Sequence, residues 1–138
     1  MSFEGGSDMK FSGYRLLMLW VSLIALACPL SAHAEATKAV APDAEMQSGI
    51  QSFRKGDFTQ ALQHWNAAAG AYEAAGNAEG QARALLRAAE AELSLGRSPD
   101  AIATLQRAQA LAERIGNAPL TLAVESSLGN AYVMSGRD

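Results

Sequence analysis

At 138 residues, 49% hydrophobic and 18% charged, the chain has the size and composition of one small domain. Its net charge of −3 supplies neither the basic stripe that nucleic acid requires nor an acidic block for a metal or a cationic partner. The one cysteine, Cys28, lies in the N-terminal segment, so the rest of the chain excludes an internal disulfide and thiol chemistry.

From Met9 the sequence reads MKFSGYRLLMLWVSLIALACPLSAHAEA, with Lys10 and Arg15 ahead of an apolar run from Leu16 to Ala27, then Pro29 and Ala32-His33-Ala34. This is the pattern of a secretory signal peptide over residues 1–34, cleaved after Ala34, with export to the periplasm or beyond as its consequence. Glu4 and Asp8 are unusual charges for the start of a signal, which makes Met9 a candidate initiator. Two other readings are an uncleaved membrane anchor and a lipid-modified Cys28. The run of about a dozen residues falls short of the ~20 that span a bilayer. Ala25 stands where a lipobox favours a branched aliphatic residue. Residues 35–43, EATKAVAPD, are small and polar without apolar periodicity and read as a linker.

Residues 44–138 carry helical periodicity throughout, so the expected fold class is all-α. A first helix over 44–55 places Met46, Ile50 and Phe53 on one side, with Gly49 as a point of close approach for another helix. Gly56 stops it, and Asp57 with Gln60 forms a capping-box-like start to a second helix over 58–75. That helix repeats Phe58, Ala61, Leu62, Trp65, Ala68, Ala69 and Tyr72 at three and four residues. Gly76 stops it and Asn77 caps a third, running to Leu95. Ser98-Pro99-Asp100 starts a fourth to Ile115, with Ser98 expected as its cap. A fifth helix over 119–135 buries Leu120, Val124, Leu128, Ala131 and Tyr132, and Gly136 would open a turn to a sixth.

The pattern is a repeat. Gly56, Ala61, Ala68, Glu73, Gly76, Asn77 and Ala78 recur as Gly96, Ala101, Ala108, Glu113, Gly116, Asn117 and Ala118, each 40 residues on. Ala91 maps in the same register to Ala131, Arg97 to Arg137 and Gly96 to Gly136. A single amphipathic hairpin cannot bury its own apolar stripe, so such units stack.

Gly56-Asp57-Phe58-Thr59-Gln60-Ala61-Leu62 with Trp65 and Ala68 resembles the turn and second helix of the tetratricopeptide repeat family. Leu128-Gly129-Asn130-Ala131-Tyr132 with Gly136 resembles its first helix. The period of about 40 departs from the family's 34, and the proline that usually follows the second helix is missing. The resemblance implies antiparallel helix hairpins stacked as a short right-handed α-solenoid. Its implied activity is that of an exported scaffold binding a peptide or partner helix on the concave face, where the first helices of each pair lie. In this chain that groove would draw on Ile50, Phe53 and Arg54, on Arg83, Leu86, Glu90 and Leu93, and on Asn130, Val133 and Met134. The stretched units also resemble those preceding the caspase-like CHAT domain of bacterial proteins. That implies the alternative of an N-terminal region of a larger peptidase. The expected partners are protein or peptide and no nucleic acid, with self-association through an open C-terminal end as a further possibility.

No catalytic constellation, cofactor motif or metal set emerges, so the expectation is a binding protein and not an enzyme. His64 has no second histidine or cysteine near it outside the leader and reads as a surface residue beside Trp65. Trp65 and Tyr72 read as packing residues rather than as a binding platform. Glu90 and Glu92, two apart on a helix, point in different directions and cannot pair as acid and base. Glycines 56, 96 and 136 mark helix turns, with no strand or lysine-serine pair to make a phosphate loop.

Overall fold

A computed structural model describes residues 41–136, and the leader and most of the 35–43 segment lie outside them. The described residues are all-α: α1 (Pro42–Arg54), α2 (Phe58–Ala74), α3 (Ala78–Ser94), α4 (Ser98–Ile115) and α5 (Ala118–Ser135). Each helix packs chiefly on the next, and α3 also touches α5.

The turns explain this regularity. Gly56, Gly76, Gly96 and Gly116 stand 20 residues apart and all adopt positive φ, between 68° and 82°, which other residues reach only with strain. In each case the next residue's N–H donates to the carbonyl five residues back: Asp57 to Ser52, Asn77 to Tyr72, Arg97 to Glu92 and Asn117 to Ala112. That bond satisfies a helix-end carbonyl and reverses the chain within two residues. Asp57, Asn77 and Asn117 then accept from the backbone N–H three residues on, at 2.9–3.1 Å, and so cap the following helix.

Sequence expectations are corrected in three regions. First, α1 starts at Pro42 rather than Ala44. Proline needs no N–H donor in the first turn, and Asp43 and Glu45 favour the positive helix end, so these residues join the helix instead of the linker. Second, Ser98 does not cap α4. The turn places Arg97 at the cap position with no side-chain bond, and Ser98 is the first helical residue, 2% exposed. Third, Gly136 has φ of −82° and makes no left-handed turn, and Tyr132 is 54% exposed rather than buried.

The core is built from alanine. Ala61, Ala68, Ala82, Ala84, Ala88, Ala89, Ala91, Ala101, Ala108, Ala112 and Ala131 are fully buried, and the larger side chains among them are Trp65, Leu85, Leu105 and Val124. Alanine lets helix axes approach and loses no side-chain entropy. At Gly49 the approach is closer still. A Cβ there would lie 2.3 Å from Nε1 of Trp65, so the indole lies against bare α1 backbone. Gly80 meets Tyr72 in the same way, at 2.5 Å.

Candidate functional site: a groove across alternate helices

The side chains of α2 first decide what cannot be a site. Trp65 is 1% exposed and its Nε1 donates to the Met46 carbonyl at 3.3 Å, while Tyr72 donates its hydroxyl to Asp43. That bond to a carboxylate, with some burial, raises the Tyr72 pKa above its usual 10.0. His64 Nδ1 lies 2.6 Å from Glu45 Oε2, a pairing of α2 with α1 that the sequence reading missed. Its signal was present as a histidine and an acid beside Trp65 and Gly49, but only the helix register brings them together. These three side chains hold α2 onto α1, and none of them lines either of the two clefts on the opposite helices.

The groove residues are another matter. Ile50 of α1, Arg83 and Leu86 of α3, and Leu120 and Ala123 of α5 line one cleft of 370 Å³, with Met46, Arg87 and Pro119. Phe53 of α1, Glu90, Leu93 and Ser94 of α3, and Asn130 and Met134 of α5 line a second, of 310 Å³. Both clefts therefore take residues from α1, α3 and α5, and none from α2 or α4. Alternation of helices positions them: odd-numbered helices share one side because the glycine turns reverse the chain at every 20th residue. Arg54 and Val133 are exposed and line neither cleft. Phe53 is held in place by edge contacts with Phe58, at 5.0 Å, and by Trp65, at 5.5 Å.

Electrostatically the groove is balanced. Arg83 donates to Glu79 at 2.7 and 3.0 Å, and Arg87 donates to Glu90 at 2.8 Å. Such exposed pairs on one helix stabilise by only about 0.3–0.5 kcal/mol. They do set the chemistry of the surface, since each arginine arrives with its own counter-ion. Volumes of this order sit at the small end of the about 300–1,000 Å³ of small-molecule pockets and suit a few side chains of an extended or helical segment.

A third cleft, of 550 Å³, was not anticipated. It is formed by the end of α2, by α3 and by α4, with Glu73 of α2 and Gln81 and Leu85 of α3 beside Arg107, Leu111 and Arg114 of α4. The sequence signal for it was the arginine pair two helical turns apart on α4. Near the α3–α4 turn, Glu92 is buried with Oε2 lacking any hydrogen-bond partner. Burial raises its pKa above the usual 4.5, against the opposing effects of the Thr104 hydroxyl, Arg97 and Arg107. Among the described residues no group of three or more histidine, cysteine, aspartate or glutamate side chains could hold a metal. No described helix is long and apolar enough to cross a membrane. Comparison with protein-family models, curated proteins and solved structures gives no match.

Proposed function

We propose that the chain is an exported binding module whose tetratricopeptide-like helices stack as a right-handed solenoid. On this reading it captures a protein segment along the side formed by α1, α3 and α5. The observation that carries the reading is the convergence of Ile50, Phe53, Arg83, Leu86, Glu90, Asn130 and Met134 into two clefts drawn only from alternate helices. The segment supplies apolar side chains to Ile50, Leu86, Phe53 and Met134, and backbone or amide groups to Asn130. It carries little net charge, because Arg83 and Arg87 are already paired.

A displayed peptide library selected on the chain tests this. Binders are expected to weaken by about tenfold or more on Leu86→Arg and on Asn130→Ala, and to keep their affinity on Gln63→Arg, which changes an exposed α2 position. A selection that returns no binder, or binders indifferent to both groove substitutions, overturns the reading.

A further inference from the structure

The two ends of the described stack differ in chemistry. Helix α3 is covered on both sides: Ala88 and Ala91 pack in a cluster with Ala61, Leu62 and Trp65 of α2, while Ala82, Leu85 and Ala89 join a cluster with Ala101, Leu105 and Ala108 of α4. The 40-residue register transfers these two faces to the outer helices. On α1 the face equivalent to Ala84, Ala88, Ala91 and Leu95 is Ala44, Ser48, Gln51 and Lys55, where three polar side chains replace apolar ones. On α5 the face equivalent to Ala82, Leu85, Ala89 and Glu92 is Leu122, Glu125, Gly129 and Tyr132. These sit three, four and three residues apart and all are exposed. Leu122 is 66% exposed, and a Cβ on Gly129 would meet nothing within 4 Å. None of the four lines either groove cleft.

What fits this face can be read from α1, where the same register positions are occupied and covered. Glu125 corresponds to Glu45 and Gly129 to Gly49. On α1 the glutamate pairs with His64 and the glycine lies under Trp65, adjacent residues of one helix. The second copy has Leu85 and Ala89 at these positions, and Thr104 and Leu105 at those of His64 and Trp65. Helix α5 therefore repeats the acidic and glycine positions of α1, not the aliphatic ones of α3.

We propose that the Leu122, Glu125, Gly129 and Tyr132 face of α5 docks a partner helix of α2 chemistry. That helix presents a basic side chain followed by an indole, with alanines four residues before and three after the indole, as His64, Trp65, Ala61 and Ala68 do. The indole lies on the bare backbone at Gly129, the basic group meets Glu125, and Leu122 and Tyr132 close the two ends. The Tyr132 hydroxyl already accepts from Gln106 of α4 at 3.3 Å, which holds the ring at the rim.

A dye-labelled peptide of residues 57–76, held helical by a lactam across its outward positions 59 and 63, tests the proposal against the 138-residue chain. Saturable one-to-one binding is expected, weakened by about tenfold or more by Gly129→Leu in the chain or Trp65→Ala in the peptide, and weakened less by Glu125→Lys. Gly129→Leu meets no neighbouring atom, so circular dichroism and unfolding of the variant should match the parent. Absence of binding overturns the proposal, as does binding unchanged by both chain variants. A dimer of the chain alone, seen by light scattering and abolished by Gly129→Leu, would make a second copy the occupant and overturn the partner named here.

Discussion

The junction of α1 with α2 and the junction of α3 with α4 occupy the same register of the repeat yet are built from different materials. In the first, Trp65 lies on Gly49; in the second, Leu105 and Ala89 hold those positions, both fully buried. One step along, bulky Tyr72 lies on Gly80, whereas 40 residues later the small residue is Ala112 on α4 and the large one is Leu120 on α5. The repeat thus specifies how much volume an interhelical layer holds and leaves open which helix supplies it. Close packing at near-crystalline density allows that exchange, provided both partners change together. The first junction also gains hydrogen bonds from its aromatic side chains, while the second is aliphatic apart from the buried Glu92 near Thr104.

The two junctions differ most at Trp65. Trp65→Ala should cost about 3–5 kcal/mol in urea unfolding. Gly49→Ala alone should cost about 1–3 kcal/mol by overpacking, and adding Trp65→Leu, which rebuilds the second junction's pair, should recover most of that loss. Strict additivity of the two substitutions would mean that the volumes are not exchanged between these positions.

A smaller effect separates the turns. Gly116→Ala forces a side chain into positive φ and should destabilise by about 1–2 kcal/mol, whereas Gly136→Ala, at negative φ, should change stability by less than about 0.5 kcal/mol. Thermal melts of the two variants side by side decide it, and equal losses would contradict the turn geometry.

The smallest effect concerns Glu92. Its pKa is raised in the folded state, so the folded protein holds its proton more tightly than the unfolded chain does. From about the ordinary 4.5 upward, stability therefore falls as pH rises through the folded value, and below 4.5 the contribution is fully present. Glu92→Gln should remove that slope, and an unchanged pH profile of unfolding between the two proteins would show that another group sets it.

Much of this was legible in the sequence, for physical reasons that can be named. Helix stops were readable because only glycine enters the left-handed turn cheaply, and the close approach at Gly49 was readable because a missing side chain at helical spacing has few other uses. The cap at Asn77 follows from its short acceptor side chain. Ser98 misled because three local signals, serine, proline and aspartate, compete for neighbouring positions, and the backbone turn at Gly96 fixes the register before any of them acts. The expected burial of Tyr132 failed because periodicity reports which residues share a face, not whether a helix lies against that face. The His64 and Glu45 pair, 19 residues apart, needed the packing of two helices to become visible. Among the groove residues, Ile50, Phe53, Arg83, Leu86, Glu90, Asn130 and Met134 line the two clefts, while Arg54 and Val133, which share the 40-residue register of Met134 and of Phe53, fall outside them because register fixes a helix face and not the neighbours that wall it in.

The left-handed glycine turns also bear on how the chain reaches this state. Because each turn reverses the backbone within a few residues, nearly every interhelical contact joins neighbours along the sequence, and forming it requires closing only a short loop. Topologies of that kind fold quickly and in a graded order, with terminal helices opening before the middle ones. Helix α3, flanked on both sides, is then the last element to lose its protection, and the two clefts that it shares with α1 and α5 are dismantled from their outer walls inward.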